Sequence, residues 1–96
     1  MPVNSSTPIQ LMIIEIMQDY QWYTSQNIRD DIQRQFGIAV KHGWLMKALN
    51  GMLNYGAVRQ EIIDPPSGRG GIIRYSLNQR ASEAFRRRLE ERLAHK

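Results

Sequence analysis

Residues 57–78 read "AVRQEIIDPPSGRGGIIRYSLN". Two runs flank a turn that holds two prolines, three glycines and one arginine. In the runs, Val58, Ile62, Ile72, Ile73, Tyr75 and Leu77 give mostly period-two patterning, the signature of strands half in and half out of a core. Proline and glycine punctuate the loop between them. The segment therefore predicts a β-hairpin, with Arg69 as the charged residue at its tip.

Three helical patterns precede the hairpin. Thr7 stands as N-cap before Pro8, and Gln10 completes a Thr-x-x-Gln capping box. Ile9, Met12, Ile13, Ile16 and Met17 recur at helical spacing, so the first helix is expected to run to about Tyr20. Leu11 and Ile14 widen its apolar stripe beyond one face, which predicts burial on two sides. "QWYTSQN" is a break in which Trp22 and Tyr23 form a short extended piece at the edge of the core. Thr24 or Ser25 then caps a second helix, with Ile28, Ile32 and Phe36 inward and Gly37 in the usual left-handed terminal place. "IAVKHG" connects to a third helix with Leu45, Leu49, Met52 and Leu53 inward, ended by Gly56. The methionines at 12, 17, 46 and 52 are expected to fill core.

After the hairpin, Asn78 caps a last helix. Ala81, Ala84, Phe85, Leu89 and Leu93 lie on one side, and Glu83 stands four residues before Arg87. "RRRLEER" reads as the solvated side of that helix rather than a nucleic-acid stripe. Three helices followed by a hairpin define a winged helix-turn-helix, mainly α, with an additional C-terminal helix. The domain plan is a flexible arm over 1–7, the winged helix over 8–78, and an amphipathic helix over 79–96 assigned to dimerisation.

Composition narrows the function. Ninety-six residues suit one domain with a modest core. The absence of cysteine removes disulfides and thiolate zinc sites and agrees with a reducing compartment, the cytoplasm. No run reaches the length of a membrane span, and "MPVNSSTPIQ" lacks the charge and apolar core of a signal peptide. Charge is uneven. Residues 1–40 carry two arginines against four acids, a net −2; residues 41–96 carry eleven Lys/Arg against five acids, a net +6. A basic half points to a polyanionic partner. Enzymatic chemistry finds no support: His-Glu-x-x-His, Gly-x-Ser-x-Gly and dinucleotide fingerprints are absent, and "SGRGG" lacks the ending of a phosphate-binding loop. No cofactor or metal is expected.

From the second helix onward the residues resemble the PadR-like transcriptional regulators, with the match covering about residues 8–94. In "FGIAVKHGWLMKALNGMLNYGAV", Gly43, Leu45, Leu49, Met52, Gly56 and Val58 fall in the family's slots. "RYSLN" stands where the family has its Arg-Tyr-x-Leu-Thr-like phrase. "TSQNI" departs from the His-Gly-Tyr-x-Ile phrase, with Thr24 for the histidine and Ser25 for the glycine. The resemblance implies a homodimeric repressor whose C-terminal helix packs on the partner's first helix, with a small-molecule effector near the dimer interface.

The expected function is a bacterial or phage regulator that binds double-stranded DNA. With the third helix's apolar side inward, Lys41, His42, Trp44, Lys47, Asn50 and Asn54 fall on or beside its outer face. The lysines suit phosphate or guanine, and Asn50 suits adenine. Arg69 would meet a minor groove or the backbone, supported by Arg74 and Arg59. Trp44 is expected to be part-buried against the second helix, with stacking on a ligand or sugar as the alternative. The rival class is a winged helix that binds another protein through the hairpin edge or the last helix. Clustering of Lys41, Lys47, Arg69 and Arg74 on one surface would favour DNA; acids among them would favour the rival.

Overall fold

The structure, a computed structural model, describes residues 8–64 and 70–94. In order, the elements are α1 (Ile9–Ile16), β1 (Tyr23–Thr24), α2 (Ser25–Phe36), α3 (His42–Tyr55), β2 (Val58–Ile63), β3 (Ile72–Leu77) and α4 (Gln79–Ala94). The strands form one antiparallel sheet in the order β1-β3-β2. This is a winged helix-turn-helix with a fourth helix behind it.

α1 is the centre of the core. Met12, Ile13, Ile14 and Ile16 are buried, as is Met17 just after the helix. α2, α3 and α4 all pack against it, which accounts for a stripe wider than one face. Its ends differ from the sequence reading. The N-cap place is taken by Pro8, with φ −63° and ψ 141° and no side-chain cap; Thr7 lies outside the described residues. The capping box expected between Thr7 and Gln10 falls outside them with it. The Gln10 amide donates to the Ala48 carbonyl on α3 at 3.2 Å, because it stands on the side of α1 that α3 approaches.

α1 also stops at Ile16 rather than near Tyr20. The Asp19 carboxylate accepts from the Gln21 N–H at 3.2 Å and from the Tyr23 hydroxyl at 2.8 Å. Such local bonds compete with helix continuation. Tyr20 then turns the chain with φ 58°, an uncommon conformation for a non-glycine residue. Its carbonyl accepts from the hydroxyl of Ser76, which is fully buried on β3. The turn delivers Tyr23 and Thr24 as β1, opposite Tyr75 and Arg74.

Thr24 is the cap of α2. Its hydroxyl accepts from the Asn27 N–H at 3.1 Å, and the Asn27 side chain accepts from the Thr24 N–H at 3.2 Å, a reciprocal box. Gly56 ends α3 at φ 91°, where a Cβ would be strained. The Ala57 N–H then bonds back to the Met52 carbonyl at 2.8 Å, so the chain reverses directly into β2.

β2 and β3 pair from Val58↔Leu77 to Ile63↔Ile72. Side chains alternate between faces, so Val58, Tyr75 and Leu77 point into the core, where all three are buried. Ile62 and Ile73, paired on the same face, are 62% and 41% exposed. The far end of the hairpin therefore runs past the helical layer.

α4 is capped by Asn78, whose side chain accepts from the Ala81 N–H at 3.4 Å. It lies on α1 and α3 of its own chain. Leu89 is buried, Phe85 sits 5.1 Å from the Tyr55 ring, and Leu93 is half-buried. Ala84, expected inward, is exposed, whereas Ser82 is buried, its hydroxyl bonded to the Gln79 carbonyl. The ion pairs on this helix are made by Arg86, with Glu90 at 3.3 Å and with Glu15 of α1 at 3.5 Å, rather than by Glu83 and Arg87.

Burial, the hydrogen bond to Asp19 and that carboxylate's charge push the Tyr23 phenol up to about 12. The folded value lies above that of the unfolded chain, so the protonated phenol favours the fold. This contribution is complete below the ordinary tyrosine value of 10.0 and is lost as pH rises through about 12. Tyr23→Phe should remove that alkaline loss, checked by denaturant unfolding of both proteins from about pH 8 to about pH 12. Parallel stability curves for the two would contradict the assignment.

Candidate nucleic-acid interface

The candidate interface follows from the rotation of α3. Leu45, Leu49 and Met52 are 0% exposed, and helical periodicity then turns a defined set outward. Lys41, His42, Gly43, Trp44, Lys47, Asn50 and Asn54 are all exposed. α3 contains no aspartate or glutamate. Among the described residues neither Lys41 nor Lys47 forms an ion pair. The result is a helix face of cations, amides and one indole with no carboxylate of its own.

The connection into α3 is braced from α2. Arg29 donates through Nε to the carbonyl of Val40 at 3.1 Å, and Val40 is itself buried. Lys41 is the N-cap of α3, extended and without a side-chain cap. The first helix turn carries no acid, so the positive end of the helix dipole adds to the two lysines. The role of Arg29 escaped the sequence reading, because its partner is a main-chain carbonyl eleven residues away.

Trp44 differs from expectation. It is 63% exposed rather than part-buried against α2. It stands on the α1 side of α3, beside an open concavity of about 450 Å³ lined by Pro8, Ile9, Gln10, Trp44, Lys47 and Ala48. The Lys41 ammonium lies 5.7 Å from the indole centroid, within the range of a cation–π contact.

Arg74 belongs to a second cluster, on the outer face of the sheet. Its guanidinium donates to Glu61 through Nε at 3.3 Å and Nη2 at 3.1 Å. It also lies 5.3 Å from the Trp22 ring, with Arg59 on the same indole at 5.4 Å. Trp22 is thus part of a solvent-facing arginine–tryptophan group rather than a simple core edge. The pairing of Glu61 with Arg74 follows from the register Glu61↔Arg74, which the sequence pattern did not reveal. The structure therefore brings together Lys41, His42, Trp44, Lys47 and Asn50 on α3, and places Arg74 with Glu61, Arg59 and Trp22. Arg69 lies outside the described residues.

A further concavity, of about 350 Å³, lies at the seam of α3 and α4, with Asn54, Tyr55, Phe85, Arg88 and Arg92 in its wall. Arg88 is 5.4 Å from the Tyr55 ring. Among the described residues there is no group of three or more potential metal ligands.

Solved structures share this architecture. One is a PadR family transcription regulator from hypervirulent Clostridium difficile R20291, at 16% identity and a TM-score of 0.71, with 88% of this chain and 86% of that one covered. Another is a Thermoplasma acidophilum protein assigned as a transcriptional regulator, at 14% identity and a TM-score of 0.64, covering 92% of this chain and 94% of that one. No protein-family profile and no curated protein matches the sequence. What is shared is the winged-helix fold. The PadR-like resemblance read over residues 8–94 has its counterpart at that level.

Proposed function

We propose that the chain is a sequence-specific, duplex-DNA-binding regulator of transcription, a repressor that acts as a homodimer in the cytoplasm of a bacterium or a phage-infected cell. α3 enters the major groove. Lys41 and Lys47 meet phosphate or guanine, and Asn50 meets adenine. Arg69 keeps its sequence-based assignment to the backbone or minor groove. The observation that carries this reading is the exposed face of α3, which has no carboxylate of its own and on which, among the described residues, no lysine is neutralised by an ion pair. Two structural neighbours named as transcription regulators support it at the level of the fold.

Dimerisation through α4 and α1 is part of the same proposal. α4 lies on its own α1, and the half-buried Leu93 near its end would be the residue offered to a twin. The α3–α4 seam is where an effector would touch both the reading helix and the dimerising one.

One observation favours the rival reading, a protein-binding winged helix. Glu61 sits among the sheet cations, and Ile62, Ile72 and Ile73 expose apolar surface on the hairpin. Salt dependence separates the two. For DNA, log K falls against log salt with a slope of about −0.9 per phosphate neutralised. Lys47→Ala should weaken binding to any duplex and flatten the slope by about 0.9 per subunit, so by about 1.8 in a dimer. The check is fluorescence anisotropy on a labelled duplex from the region upstream of the protein's own gene. An unchanged slope would remove Lys47 from the interface.

The assembly is tested separately. Sedimentation equilibrium of the full chain at a concentration on the order of 100 μM should give twice the monomer mass, as expected for a two-fold dimer. A monomer under those conditions contradicts the homodimer.

A further inference from the structure

Trp44 is a large apolar side chain on the outward face of α3 and is 63% exposed. A single exposed apolar residue needs no explanation by itself. Its neighbours supply one. Lys41 and Lys47 stand three residues before and after it on the helix, which puts both beside the indole. Neither lysine is engaged by an acid among the described residues. Trp44 and Lys47 are separated by about 60° in helical projection, with Trp44 on the α1 side. A surface that accepts these lysines must therefore be polyanionic, yet must also present something apolar within reach of the indole.

We infer that Trp44 reads thymine, by packing its indole against the C5-methyl group in the major groove. This rests on the proposed entry of α3 into that groove. Of the four bases, thymine alone shows a methyl group there. The other base edges present donors and acceptors, against which an indole face would lose hydration without compensation. The concavity beside Trp44 is lined by Pro8, Ile9 and Ala48 as well as by Gln10 and Lys47; the Gln10 amide is already bonded to the Ala48 carbonyl, so the carbon surface there can receive a methyl group. Lys41, near the indole at 5.7 Å, is placed to take the phosphate on the same wall of the groove. Trp44 thus adds an apolar specificity contact to the polar ones assigned to Lys47 and Asn50.

The test uses the full chain and a duplex selected by repeated binding from a random pool. Thymines in that duplex are then replaced one at a time by deoxyuridine, which removes the methyl and leaves sugar, phosphate and pairing unchanged. At the thymine that faces Trp44, affinity should fall about fourfold per half-site, the loss expected for one apolar carbon. Trp44→Ala should retain its circular dichroism and melting temperature, bind the thymine duplex more weakly, and show no response to deoxyuridine at that position. Such non-additivity is what a direct contact produces. If the duplex binds with the salt slope carried by Lys47 but every deoxyuridine substitution is neutral, the thymine contact is overturned while the DNA reading stands. If Trp44→Ala weakens binding but keeps the full deoxyuridine response, the indole meets the sugar or backbone and the inference fails. If no duplex is bound, both readings fail together.

Discussion

The burial of Leu45, Leu49 and Met52 in a single stripe governs everything the outer surface can do. Each is fully buried, and each contributes on the order of 1.5–3 kcal/mol by leaving water. Together they amount to about 5–9 kcal/mol, comparable to the whole net stability of a small domain. Rotating α3 by one residue would move these side chains out of the core and cost a large part of that. The helix therefore has one orientation, and its lysines, asparagines and indole are presented by exclusion. That face of α3 needs no dedicated scaffold beyond the core itself.

The remaining elements hold that orientation from three sides. α1 approaches so closely that a Cβ on Gly51 would stand 3.1 Å from the Gln10 side chain, and the Gln10–Ala48 hydrogen bond locks the contact. Arg29 ties the connection before α3 to α2. Gly56 allows an immediate reversal into β2, and the Asn78 N–H closes on the Ala57 carbonyl at 2.9 Å. That last bond brings the end of the hairpin back to the end of α3. The hairpin and α3 are thereby fixed to each other at their roots.

Much of this was legible because local chemistry and burial agree. Thr24, Gly37, Gly56 and Asn78 mark ends by mechanisms that act within a few residues, and period-two patterning marked both hairpin strands. The α1 terminus was misread because an Asp19 bond to Tyr23 overrides an apolar pattern that continues through Met17. Ser82 was missed as a buried residue because a hydroxyl can bond back to its own helix. At the candidate site, the outward set of α3 could be read from periodicity alone. The exposure of Trp44 could not, since it depends on where α1 begins. Nor could the capture of Arg74 by Glu61, which depends on a strand register set across a loop.

On the proposed function, a duplex sits on the polar face of α3. Backbone amide chemical shifts, followed by NMR as a duplex is titrated into the full chain, locate the contact without assuming any residue's role. Contact through α3 predicts the largest changes from Lys41 to Asn54, centred on Trp44 and Lys47, with α2 and the buried faces little affected. Changes confined to the outer face of the sheet around Trp22, Arg59 and Arg74, or to α4, would contradict it.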